Sequence, residues 1–382
     1  MLALTGMMIY SIGCDEDPIS VGEGILPDED FITIDTLVFM AKESFSYEIP
    51  IVTSGSQTLF AGETDKHRVE SIFRFISPIT LTPDTVRNSE IFEATLSLTP
   101  VYSMGDSSET LPLYLHEVIS GWSTTDFNRD VFETIYWRPE SVADTVAMLG
   151  DTNQTVFRLP RELIAHWAQQ EEESIVTPGL VLRSDESANG IIGFRGPGGE
   201  NGPELRIIYG ESGSLDTVTI TQNARAFAAY MKDDPDLQNN IIIQAGVATR
   251  AVLKFDIHEI PKGALIHSAE LELFENPEFT ISHPEIGDSL FALQLTDSNK
   301  FLMRTANRAR FNTSVIDSIN NIIRYSSLVS DIVQDWVTVG ENLGFIIRDN
   351  SETLGLHRAS FNTETAADEA LRPRLKIIYS RI

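Results

Sequence analysis

Trp122, Tyr136 and Trp137 flank a turn-rich stretch, "WSTTDFNRDVFETIYWRPE", where aromatic rings can meet solvent. An exposed indole or phenol face stacks on the apolar face of a sugar ring, so these three are the candidate ligand platform. Packing within mid-domain strands is the competing role for the same rings. Trp167 and Trp336 differ, because each falls in an apolar stripe of helical spacing and belongs to a core.

Signals for catalysis are sparse. Seven histidines are scattered, with no His-Glu-x-x-His and no Gly-x-Ser-x-Gly. His166 and Asp335 occupy matching positions beside Trp167 and Trp336, and a catalytic group would not alternate between such types. "GPGGENG" (Gly196 to Gly202) lacks the Gly-Lys-Ser/Thr ending of a phosphate loop and runs into a strand. Glycoside hydrolysis needs two carboxylates at a set separation, which 56 acidic residues offer in many combinations and no spacing selects. A non-catalytic protein is therefore expected. "DDPD" (Asp233 to Asp236) supplies hard oxygen ligands suited to a structural calcium ion, although it matches no EF-hand loop and a charged turn is the simpler reading. Glu171 to Glu173 read as a solvated face.

The one cysteine, Cys14, excludes disulfides within the chain and Cys-based zinc sites. It closes a mostly apolar run, "MLALTGMMIYSIGC", followed at once by "DEDP". Gly13-Cys14 resembles the lipobox of bacterial lipoproteins, which implies acylation of Cys14, a signal peptide over 1–14 and a tether over 15–30. The acidic residues after the cysteine resemble the surface-export signals of Bacteroidetes-type lipoproteins. An outer-membrane, cell-surface location through a lipid anchor is the expectation that follows.

Composition narrows the partners. The net charge is −28, from 28 basic and 56 acidic residues, a field that repels nucleic-acid phosphates and acidic polysaccharides. A hydrophobic share of 42% fits a globular body, and 382 residues exceed one ordinary core. No run of about 18 apolar residues is present to cross a bilayer as a helix.

The elements that must position any site are encoded twice. "PELRIIY" ends at Tyr209 and "PRLKIIY" at Tyr379, about 170 residues apart. "IFEATLSL" (Ile91 to Leu98) is matched by "IHSAELEL" (Ile266 to Leu273), both with the alternation of a strand buried on one face. "SIFRF" pairs with "AVLKF", "LIAHW" with "IVQDW", and "GLVLRS" with "GFIIRD". "SSLVSDIVQDWVTVG" carries Leu328, Val329, Ile332, Val333, Trp336 and Val337 at helical steps, with Gly340 as its stop. "RELIAHW" predicts the same helix in the first copy. Short strands with one covering helix per copy give an all-β fold of two tandem antiparallel jelly-roll-like sandwiches. The seam is expected near "GESGSLD" (Gly210 to Asp216), giving domains over 31–210 and 211–382.

"RAVLKFDIHEIPKGALIHSAELELF", "IVQDWVTVGENLGF" and "RPRLKIIY" resemble the DNRLRE-type β-sandwich domains of bacterial and archaeal surface proteins, which are similar to alginate-type carbohydrate-binding modules. Trp122, Trp137, Arg138 and Pro139 resemble that family's mid-domain tryptophan region. The resemblance implies a surface protein that binds a polysaccharide, or a structural subunit meeting envelope proteins.

Overall fold

The computed structural model describes residues 33–75, 89–169, 179–196, 201–211, 213–232, 239–281, 289–317 and 322–381. Cys14, the tether, "DDPD" and Glu171 to Glu173 lie outside them. Antiparallel strands dominate and sort into two large bodies. In the first, β2 (Thr58–Glu63), β3 (His67–Phe75), β4 (Glu90–Leu98), β5 (Pro100–Gly105), β6 (Thr110–Val118), β7 (Trp137–Met148), β8 (Thr155–Arg158), β9 (Gly179–Ser184), β10 (Gly190–Arg195) and β11 (Glu204–Glu211) join β12 (Ser214–Met231). In the second, β1 (Ile34–Glu48) joins β13 (Asn240–Gln244), β14 (Thr249–Phe255), β15 (Leu265–Phe274), β16 (Leu290–Asp297), β17 (Leu302–Arg310), β18 (Asn312–Asp317), β19 (Ile322–Leu328), β20 (Phe345–Asp349), β21 (Arg358–Asn362) and β22 (Arg374–Ser380).

The pairings of one body recur in the other. β4 lies between β11 and β8 as β15 lies between β22 and β19. β3 pairs β9, and β14 pairs β20. The opening strands depart from the expected boundaries of 31–210 and 211–382. β1 opens the first copy in sequence, yet it pairs β22 through Ile34–Met40 and β14 through Ala41–Glu48. β12 opens the second copy and pairs β11 and β3 of the first. Each body is thus completed by the strand that the repeat assigns to the other.

Turn chemistry explains half of this exchange. The chain reverses tightly between paired Glu211 and Ser214 rather than running on as a connector between bodies, with Gly210 (φ 139°) and Gly213 (φ 104°) supplying left-handed backbone. A β-carbon on Gly210 would lie 2.3 Å from the Ser214 carbonyl oxygen, so the turn needs glycine there. The last strand of the first copy therefore folds straight back onto the next strand in the chain.

Both exchanged strands change partner at a bulge, between Ala41 and Glu43 in β1 and between Gln222 and Ala224 in β12. Each spans the two layers of its sandwich. Leu271, Leu375 and Ile377 from one layer of the second body meet Ile243, Leu253 and Phe345 from the other in one core. In the first body Leu96, Leu205 and Ile207 likewise meet Phe73, Leu113 and Leu182.

Among the described residues three α-helices accompany the strands: α1 (Arg129–Phe132), α2 (Arg161–Gln169) and α3 (Ser330–Val339). α2 packs on β4 and α3 on β15, the same place in each copy. α3 buries Ile332, Val333, Trp336 and Val337, and Gly340 closes it at φ 84°, its N–H donating to the Trp336 carbonyl at 2.7 Å. Leu328 is 67% exposed at the end of β19, outside the helical stripe expected to hold it.

The bodies pack against each other. Phe60, Val69, Tyr102, Ile191, Phe227 and Ala229 of the first enclose Val247 and Leu356 of the second. Polar groups line the same seam: fully buried His67 contacts Gln244, and Arg358 donates to Gln244 Oε1 at 2.8 Å. Ser56 donates to the Thr353 carbonyl at 3.0 Å.

Candidate functional site

Strands β12, β3, β9, β6 and β7 lie side by side in the first body. Along a strand, successive side chains leave opposite faces, so the residues alternating with core Phe73, Leu113 and Leu182 must point outward. They do so as a cross-strand row: Tyr230, Arg68, Glu70, Arg183, Tyr114 and His116. The segment over Trp122 to Trp137 walls one side, its Phe127, Phe132 and Ile135 packed on Val118, Val181 and Ala226 of the sheet. α1 in that wall begins at Asn128, whose side chain accepts from the Val131 N–H at 3.0 Å.

Two adjoining cavities open on this row. One of about 410 Å³ is lined by Tyr114, His116, Pro139, Ser141, Arg183 and the Ser184–Glu186 turn. The other, of about 290 Å³, is lined by Arg68, Glu70, Phe132, Glu133, Trp137, Arg183 and Tyr230. Arg183 belongs to both and forms the wall between them.

The charges along the groove are tightly tied. Arg183 Nε lies 3.1 Å from Glu70 Oε1, and that carboxylate is almost fully buried. Glu117, on the opposite, core-facing side of β6, accepts from Arg138 Nε at 2.6 Å and from Trp167 Nε1 at 3.3 Å. Trp167 is therefore both a core ring and an anchor for a carboxylate. Arg68 lays its guanidinium 4.5 Å from the centre of the Tyr230 ring. Burial pushes the Tyr230 phenol up to about 12, so it stays protonated as a hydrogen-bond donor. His116 Nδ1 lies 3.0 Å from the Arg138 carbonyl. A carbonyl only accepts, so Nδ1 carries the proton and Nε2 is left as an acceptor. Burial also moves the His116 pKa down, keeping the ring neutral at neutral pH.

The three aromatics expected as a platform are not brought together. Trp137 lines the smaller cavity and packs on Phe132, with ring centres 5.3 Å apart. Trp122 packs edge-on against Phe127 and receives the Arg74 guanidinium 5.1 Å from its centre, in the wall rather than the groove. Tyr136 is 72% exposed and lines neither cavity. His166 is exposed, and Asp335 accepts from Arg304 at 2.6 Å, both on the polar side of their helices. Glu70 and Arg183 were the missed residues. Their signal was strand alternation alone, which puts Glu70 on the face opposite core Phe73 and Arg183 on the face opposite core Leu182.

The equivalent surface of the second body is filled. Arg348 stands where β9 has Arg183, and Arg250 stands where β3 has Glu70. Arg250 makes two hydrogen bonds to Glu352, at 2.7 and 2.9 Å. Phe301, in the turn between β16 and β17, stacks on Tyr47 with centres 4.2 Å apart and meets Phe45 edge-on. The open groove thus belongs to the first body.

Among the described residues no three acidic, histidine or cysteine side chains converge as metal ligands, and no helix is long and apolar enough to cross a membrane. Comparison of the sequence with models of known protein families and with curated proteins gives no match to either.

Proposed function

We propose that the chain is a non-catalytic, lipid-anchored surface protein that binds carbohydrate in the groove of its first sandwich. The observation that carries this is the groove itself: a long concave surface across a sheet, edged by Tyr114 and Trp137 and floored by fixed polar groups. Rings of sugar residues stack on such aromatic edges, and their hydroxyls exchange hydrogen bonds with arginine and carboxylate. Glu70 is held by an arginine, an arrangement that supports binding rather than proton transfer. Electrophoresis of the purified chain through gels containing soluble polysaccharides tests this. Retardation by a defined glycan supports it, and release of reducing sugar from that glycan would replace binding by cleavage. Labelling with a radioactive fatty acid, lost on Cys14→Ala, tests the anchor.

A structural role in an envelope assembly is the second reading. It is favoured by exposed Val38, Met40 and Leu328 on the outer face of the second body, apolar groups that a protein partner could cover. Co-purification of envelope proteins without glycan retardation would select it.

A further inference from the structure

We infer that the groove takes an uncharged, hydroxyl-rich glycan chain laid across the strands, and rejects acidic polysaccharides. This rests on the proposed glycan-binding function and names the ligand class for that site.

Length comes first. Five neighbouring strands at sheet spacing span about 19 Å, room for three or four pyranose rings end to end. The two cavities meeting at Arg183 follow that direction, from Tyr230 on β12 to Ser141 on β7.

Charge comes second. The cations lining the cavities are Arg68 and Arg183, and the anions are Glu70, Glu133, Asp185 and Glu186. Arg183 is already matched by Glu70 at 3.1 Å. The Ser187 N–H and hydroxyl hold Asp185 as an ionised group at the rim. A uronate entering here would meet more negative than positive charge, on a chain whose net charge is −28.

Hydrogen-bond polarity comes third and is independent of net charge. His116 Nε2 only accepts, as do the carboxylates. A ligand must bring donors to satisfy them. A hydroxyl donates and accepts, whereas an ionised sugar carboxylate only accepts. Arg183, with five N–H donors of which Nε faces Glu70, can bridge two neighbouring hydroxyls. Tyr114 and Trp137 then offer faces to successive rings on either side of Arg183.

The test is calorimetric titration of the full chain with neutral tetrasaccharides of β-glucan, mannan and xylan, and with tetramers of mannuronate and galacturonate, at low salt. At least one neutral tetramer is expected to bind, with at least tenfold loss on Tyr114→Ala. Arg183→Lys is the second variant. It keeps a positive charge beside Glu70 but loses the bridging fork, so weaker binding with unchanged thermal melting is expected. Binding of a uronate tetramer with no response to neutral sugars would overturn the ligand class while leaving glycan binding intact. Silence across both panels would overturn both.

Discussion

Lowering the pH should loosen the seam between the two sandwiches, and His67 should be the reason. Its ring is fully buried on β3 against Gln244 of the second body, with Nδ1 lacking any hydrogen-bond partner. Burial pushes its pKa down to about 4, the Gln244 contact pulling it up and the nearby Arg358 charge pushing it further down. Asp65 and Lys66 act with opposite signs and more weakly. In the unfolded chain the imidazole titrates near 6.5. Between those two values the unfolded state binds a proton that the folded state refuses, so stability rises with pH. The contribution is fully present above about pH 6.5 and is lost as pH falls toward 4, amounting to about 3 kcal/mol. Denaturant unfolding of the wild type and of His67→Gln, from pH 7 to pH 4, isolates this effect from the many carboxylates. The two stability curves should converge or cross as pH falls, the wild type losing about 3 kcal/mol that the variant keeps. Parallel curves would refute the assignment.

Other perturbations have equally definite outcomes. Trp336→Ala empties the space between α3 and Phe345, whose rings lie 4.6 Å apart, and should cost about 3–5 kcal/mol in denaturant unfolding. Gly340→Ala meets open space yet forces a β-carbon at φ 84°, so thermal melting should report a loss of about 1 kcal/mol. Deleting residues 1–48 removes β1 from between β14 and β22. The shortened chain should lose the second body's cooperative unfolding, and a peptide of residues 33–48 added in trans should restore it. A shortened chain that melts like the full one would contradict the strand exchange.

The repeat was legible because core positions are repeated: Ile91, Ala94, Leu96 and Leu98 carry the same inward face as Ile266, Ala269, Leu271 and Leu273. The helix ending at Gly340 was legible for the same kind of reason, a local stripe with a local stop. Which copy each opening strand completes was not legible. β1 and β12 have equivalent patterns, and only the tight Gly210–Gly213 turn decides that β12 folds back at once. The groove was hidden for another reason. Strand alternation marks Glu70 and Arg183 as outward, but the sequence does not say whether an outward face is open, covered by the other body or capped by its own turn. Arg358 meets that second fate, and Tyr47 beneath Phe301 meets the third. The aromatic signal at Trp122, Tyr136 and Trp137 located the wall of the groove, while the rings themselves divide between wall, solvent and cavity.

The most direct measurement compares the two bodies within one molecule. Glycan retardation is recorded for the wild type, for the first-body pair Tyr114→Ala with Trp137→Ala, and for the second-body pair Tyr47→Ala with Phe301→Ala. Loss of retardation with the first pair and its persistence with the second is the predicted result. Retention that survives the first pair and vanishes with the second would place the ligand on the wrong sandwich and contradict the account.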